Sequence, residues 1–204
     1  MRPGRALVVG PPLLFGLVTV LHPLPNWARI VDSLAPRLGL WIGVHVAQLV
    51  LIPLLTLTVW TLLAGLDGRL PMVARAALVV FGAFYSAFDA VVGLGIGLLV
   101  RRVSALDGAE RDAAARLAQW FWDARLDPAL PVVWVIVVGT SAWLVALVAT
   151  ALALRRAGAP RRVAALLVVS GVALAIDHPF PTGTVAMGCL LAAAVLRERT
   201  RLDA

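Results

Sequence analysis

Six apolar runs, at residues 6–22, 38–64, 76–100, 131–154, 162–177 and 182–196, succeed one another with only short polar pieces between them. A helix needs about 20 residues to cross the hydrocarbon core of a bilayer. The middle three runs meet that length easily, while the first and the last two are short. The chain is 61% hydrophobic and 14% charged, against roughly half apolar and a quarter charged in soluble domains. These features predict an all-α, polytopic membrane helix bundle of about six transmembrane helices, a single integral membrane domain over residues 1–204. An interfacial amphipathic helix is expected between spans three and four.

The charges support that layout. All eighteen basic residues are arginine and the net charge is +7. They gather at the ends of the apolar runs rather than along one polar face, which argues against nucleic acid as a partner. With both termini inside, eleven arginines fall on the inner side (Arg2, Arg5, Arg69, Arg75, Arg155, Arg156, Arg161, Arg162, Arg197, Arg199 and Arg201) and seven on the outer. The positive-inside rule then predicts cytoplasmic termini and, with a composition rich in Ala, Leu, Val, Gly and Arg, the plasma membrane of a high-GC bacterium. The N-terminus has the charged start and apolar stretch of a signal peptide but no small-x-small cleavage site after it, so it reads as an uncleaved first span. A re-entrant hairpin over 162–196 would leave the termini on the same side, so charge does not decide whether the last two runs both span. Cys189 lies in an apolar run and has no second cysteine to pair with.

Tryptophans mark the boundaries. Trp27, Trp41, Trp120, Trp122 and Trp134 fall near the outer edge and Trp60 near the inner end of span two, as interfacial belts do; Trp143, mid-span, is the exception. Residues 111–126 alternate charge with Ala, Leu and aromatic side chains. They read either as a helix lying in the outer interface or as an extracytoplasmic cap packed on the bundle.

Chemistry is concentrated in a few polar residues. Asp89 interrupts the otherwise uncharged run 76–100, and an intramembrane carboxylate costs a few kcal/mol unless it faces the bundle with a partner or a function. Tyr85 and Ser86 share its helix face. The structural alternative is a neutral Asp89 bonded to Tyr85 or to a backbone carbonyl. His45 lies in span two with Gln48 one turn on, and Pro53 beyond them is placed to kink the helix and free a carbonyl. At a rise of about 1.5 Å per residue, His45 is expected some 8 to 10 Å below the outer edge and Asp89 about 16 Å below it.

The remaining two histidines occupy a repeated pattern, His22-Pro23-Leu24-Pro25 and His178-Pro179-Phe180-Pro181, each after an apolar run. Taken singly, each reads as a helix terminator with its imidazole tip in water. Together with Asp177 they place three histidines and two carboxylates in the outer half of the membrane. His22, His45 and His178 are candidate ligands for a divalent metal such as zinc, although no HExxH or similar spacing accompanies them. Gly93 and Gly97 read as a close helix approach, and Thr140, Ser141 and Ser170 as hydroxyls bonded to backbone carbonyls.

The segments Leu21-His22-Pro23, His45-Val46-Ala47-Gln48-Leu49, Phe84-Tyr85-Ser86-Ala87-Phe88-Asp89-Ala90, Ala153-Leu154-Arg155-Arg156-Ala157-Gly158-Ala159-Pro160 and Asp177-His178-Pro179 resemble those of small uncharacterised multi-pass membrane proteins of high-GC bacteria. The resemblance covers nearly the whole chain and implies no particular chemistry. Ceramidase-like membrane hydrolases, which use histidines and an aspartate around zinc, carry paired histidines on one helix. This chain does not, so neither their sites nor their activity transfer.

The residues support two functions. In the first, His22, His45, Asp89 and His178, with Tyr85, Gln48 and Asp177, bound an outer-leaflet pocket that binds or transforms a lipid-like molecule, Asp89 and His45 being the catalytic pair. A cyclase or isomerase working by protonation fits this picture, as does a metal-dependent hydrolase. In the second, the protein is a small transporter or accessory subunit and Asp89 and His45 form a proton relay or a structural hydrogen bond. Transport would need polar residues toward the inner side, where the apolar runs hold almost none. The bilayer is the one partner the composition requires; oligomeric state is left open.

Overall fold

The computed structural model describes residues 3–202, with side chains described over 6–200. Arg2, counted in the topology argument, lies outside the described residues, and Arg5 and Arg201 lie outside the residues whose side chains are described. Among the described residues there is no strand. Seven helices occur in order: α1 (Pro3–Leu21), α2 (Ile30–Leu62), α3 (Arg69–Val103), α4 (Gly108–Ala124), α5 (Pro131–Arg156), α6 (Arg161–Ile176) and α7 (Thr182–Leu202). Three of them, α2, α3 and α5, are long and apolar enough to cross a membrane, and Ala6–Leu21 of α1 is a shorter apolar helix.

The helix ends have local causes. Pro131 opens α5 at a position where a missing N–H costs nothing. At the far end of α2, the Arg75 guanidinium donates to the carbonyls of Leu63 (3.1 Å) and Leu66 (3.2 Å), supplying donors to groups the helix leaves unpaired. Helix α6 stops at Ile176, just ahead of the His178-Pro179 pair.

Six helices close into a ring. Each of α1, α2, α3, α5, α6 and α7 packs against the next, and α7 returns to α1. Inside the ring lie Phe15, Ile52, Leu55, Phe81, Trp143, Leu147, Leu167 and Leu190, all fully buried. Trp143, the tryptophan that fits no interfacial belt, stacks on Phe81 with ring centroids 4.6 Å apart and fills the middle of this core. The outward faces are apolar too: Leu14, Val50, Val79, Val145 and Val169 are all exposed. A ring that is apolar inside and out is suited to lipid rather than to water.

A second layer caps one end. Helix α4 packs on the last turns of α3 and on Ile30–Leu34, burying Ala118 and Trp122 against Ile30, Leu34, Trp41, Ile96 and Val100. Gln119 fastens it, accepting from the Ile30 N–H (3.0 Å) and donating to the Trp27 carbonyl (2.8 Å). Of the two readings of this segment, the packed cap is therefore met on one face, while Leu117 and Trp120 keep an apolar outer edge. The cap also extends two helices. The regular helix of the second run begins at Leu38, as expected, and is prolonged backward by a tight turn at Ala35–Arg37 and a short helix Ile30–Leu34, because Ile30, Val31 and Leu34 are held by α4. Helix α3 runs to Val103 instead of 100, burying Val100 and Val103 under the cap.

Because Trp143 is fully enclosed while Val145 faces outward, Trp143→Ala is expected to cost about 3–5 kcal/mol and Val145→Ala less than about 1 kcal/mol. Unfolding in neutral detergent measures both. Equal effects would contradict the ring core.

Candidate functional site

A cavity of about 520 Å³ lies between the capped end of the ring and α4. Its walls are mostly apolar and aromatic, with Trp27, Trp41, Phe88, Trp122, Val133 and Ile136 among them. The polar groups that reach it are few: His22, His45, Tyr85, Asp89, Arg125, Thr140, Asp177 and His178. Size and lining are those of a site for a small organic ligand.

At its floor, His45 of α2 and Asp89 of α3 form a buried pair, with Nδ1 of His45 2.7 Å from Oδ1 of Asp89 and both residues 3% exposed. The local backbone of α3 makes this possible. Residues Asp89–Leu94 form a π-helical turn, a wider turn that is frequent at functional sites. Gly93 in that turn is the seat of the imidazole: a Cβ there would overlap the His45 ring at Nδ1 and Cγ. Trp41 closes the other side, its indole N–H donating to the Gly93 carbonyl at 2.7 Å and its ring lying 4.4 Å from that of His45. The close approach expected of Gly93 and Gly97 is thus present, and at Gly93 it serves a side chain of the site.

The 2.7 Å contact brings the two side chains together across α2 and α3, although counting by helix rise sets the residues several ångströms apart in depth.

The two His-Pro segments also differ from their expectation. His22 is 7% exposed and so not in water. Its Nδ1–H donates to the Pro23 carbonyl at 2.8 Å, which leaves Nε2 of the neutral ring as an acceptor. Nε2 of His178 lies 3.3 Å away, so His178 is the donor of that contact. The His22 ring stands edge-on to His178 (5.0 Å between centroids) and to His45 (5.1 Å), joining the two. Gly183 permits the turn that carries His178, since a Cβ there would overlap the His178 carbonyl. Asp177 stays at the exposed rim, accepting from the His178 N–H at 2.8 Å.

His22, His45, Tyr85, Asp89, Asp177 and His178 are all brought to one cavity. Gln48 is not: it is fully buried one turn beyond His45, without a hydrogen-bond partner among the described residues, and it does not line the space. Tyr85 lines the cavity but is not the partner of Asp89, since the carboxylate bonds His45. Thr140 bonds the Ile136 carbonyl at 2.9 Å as expected, whereas the buried Ser170 hydroxyl has no partner among the described residues. The three histidines meet, yet among the described residues no group of three or more His, Cys, Asp or Glu side chains is arranged to hold a metal ion. Both nitrogens of His22 and one of His45 are already engaged within the protein.

Arg125, counted in the sequence only as an outer-side charge, is the site's other main polar element. It is 5% exposed, its guanidinium 3.5 Å from the Trp122 ring centroid and 4.4 Å from that of Trp27. It donates through Nη1 to the Trp122 carbonyl. Burial lowers its pKa to about 10, against the opposing pull of Asp123 and Asp177. The Trp120-Phe121-Trp122-Asp123-Ala124-Arg125 stretch carried the available signal, aromatic rings beside a cation.

Comparison with protein-family models, curated proteins and solved structures returns no match.

Burial holds the His178 imidazole well below its ordinary pKa, with His22 and His45 adding to the effect. The folded protein then resists a proton that the unfolded chain accepts below about pH 6.5, so stability falls as pH drops through that value, by at most about 1.4 kcal/mol per unit for this group. Unfolding measured from pH 8 to pH 5 is expected to show this slope, and His178→Gln to flatten it; an unchanged slope would contradict the burial. In nitrogen-labelled histidine spectra, Gly93→Ala is expected to abolish the hydrogen-bonded His45 Nδ1–H signal while the helical circular dichroism is retained. Persistence of that signal would remove Gly93 as its seat.

Proposed function

We propose that this is a six-span protein of a bacterial plasma membrane, with both termini cytoplasmic, whose outer-half cavity binds a lipid-like molecule and carries out proton transfer on it. One observation carries the chemistry: the Asp89–His45 pair lies at the floor of a largely apolar cavity, with His45 Nε2 buried and free of any partner among the described residues. A carboxylate on Nδ1 fixes the imidazole tautomer and directs the Nε2 lone pair away from it, which is how a paired histidine becomes a general base. His45 Nε2 would take a proton from a substrate hydroxyl, from water or from an acidified C–H. Around it stand the His22 ring, edge-on to His45, His178 beyond it, and Asp177 at the rim.

The six-span reading draws on the ring packing. Helices α6 and α7 are flanked on both sides by other members of the ring. At about 1.5 Å per residue, the 16 residues of α6 give roughly 24 Å and the apolar stretch 182–196 of α7 roughly 22 Å, a shortfall against a hydrocarbon thickness of about 30 Å that snorkelling arginines at the helix ends and local thinning accommodate. A transport route is disfavoured by the packing inward of Tyr85, where the side chains of Phe81, Trp143 and Leu147 close the ring. Nothing in the lining favours nucleic acid.

Positioned general bases contribute typically about 10²–10⁴-fold to rate. In a strain lacking the protein, re-expression of the wild type is expected to restore the membrane lipid profile by mass spectrometry. Asp89→Asn and His45→Gln should fail to restore it although both proteins reach the membrane folded. Full restoration by either variant would eliminate the proton-transfer role.

A further inference from the structure

Among the described residues, Arg125 is the one arginine that lines the cavity, and its guanidinium is incompletely used. Arg125 Nη2 is buried and has no partner among the described residues, although Arg125 lines the cavity. No carboxylate forms a salt bridge with it among the described residues. Of the two carboxylates that act on it, Asp123 has the larger influence and accepts from Gln119 Nε2 through its oxygens, and Asp177 has one oxygen committed to the His178 N–H. The rings of Trp122 and Trp27, at 78° to each other, lie against the guanidinium and confine it, while Nη2 stays free to donate. A guanidinium edge with a free N–H presents the geometry that carboxylate and phosphate oxygens accept.

The mouth of the cavity is apolar. Leu24, Leu126, Val137 and Ile176 line it and are also exposed on the outside of the bundle, so the space opens onto a surface suited to acyl chains. A ligand arriving there is drawn from the bilayer more readily than from water. Inward from Arg125, Trp122 contacts Trp41 at 6.1 Å between centroids and Trp41 contacts His45 at 4.4 Å. One aromatic wall thus leads from the cation to the base.

We infer that the ligand is an anionic amphiphile, its carboxylate or phosphate head paired with Arg125 and its chain lying along Val133, Ile136 and Val137 toward the lipid. This rests on the amphiphile-binding reading above and adds the charge of the head. Desolvation of Arg125, which lowers its pKa to about 10, leaves it cationic at neutral pH and makes an anion its natural counter-charge.

Trp27, Trp41 and Trp122 line the cavity, so tryptophan fluorescence of the full-length protein in a neutral maltoside detergent reports occupancy. The probes are dodecyl phosphate, dodecanoate, dodecanol and inorganic phosphate. The two anionic amphiphiles are expected to bind about tenfold or more tightly than dodecanol, the scale of one hydrogen bond to a charged group. Inorganic phosphate should bind far more weakly than dodecyl phosphate. Arg125→Gln should erase the preference for the anions while keeping dodecanol binding, and Arg125→Lys should keep part of it. Dodecanol binding as tightly as the anions would overturn the role of Arg125 and leave the amphiphile cavity standing. Failure of every chain-bearing probe would overturn the cavity reading itself. Inorganic phosphate binding as tightly as dodecyl phosphate would show a free-anion site instead. Should Arg125→Gln not fold, the wild-type comparison of head groups and Arg125→Lys decide between these outcomes.

Discussion

A carboxylate and an imidazole placed mid-bundle must answer to each other. Either one alone, away from water, would carry a desolvation cost of several kcal/mol with nothing to offset it. Their 2.7 Å contact requires α2 and α3 to meet at one height and at close range. The glycine at residue 93 and the π-helical turn at Asp89–Leu94 supply the range. The Trp41 indole, bonded to the Gly93 carbonyl, keeps the two helices in register. The cap over their ends then shields the pair from water at that end of the ring, through Trp41 and Trp122.

Closure of the ring adds the second element. His22 and His178 are 156 residues apart in sequence. They meet because α7 returns to pack on α1, tied by the Thr19 and Thr184 hydroxyls 3.0 Å apart. The loop between α6 and α7 is thereby brought over the end of α1, where the Phe180 N–H donates to the Thr19 carbonyl. The repeated His-Pro pattern is the sequence trace of this junction: two helix endings, each carrying its histidine just past the last turn, meeting across the seam where the ring closes.

Much of the fold is legible in the sequence because the bilayer enforces it. Long apolar runs have little choice but helix, and Asp89 announces itself as a charge where none is tolerated without reason. The properties that escaped depend on neighbours. A π-helical turn leaves no composition signature, so Gly93 reads as an ordinary packing residue until the His45 ring is seen against it. The start of α2 depends on α4, a contact between segments far apart in the chain. Gln48 shares a helix face with His45, but one turn is enough to carry it from the cavity into the core. Arg125 is the clearest case: in the sequence it is one more outer arginine, and only the two tryptophan rings against its guanidinium reveal that it points inward.

The distribution of polar groups along the ring bears on direction as well as chemistry. On the capped side are all three histidines, Asp89, Asp177 and Arg125; on the other side of Tyr85, the interior is filled by Phe81, Trp143, Leu147 and Leu154. A path for ions or solutes through such a ring would have to displace tightly packed aromatic side chains, which interiors resist because they are close-packed. A proton path that enters and leaves on the capped side needs no such displacement. On that side Asp177 lies at the rim, the His22–His178 contact beneath it and the Asp89–His45 pair at the floor. An apolar mouth beside a one-sided polar floor suits a reaction in which the substrate stays partly in the bilayer while only a proton travels between the site and the outer water.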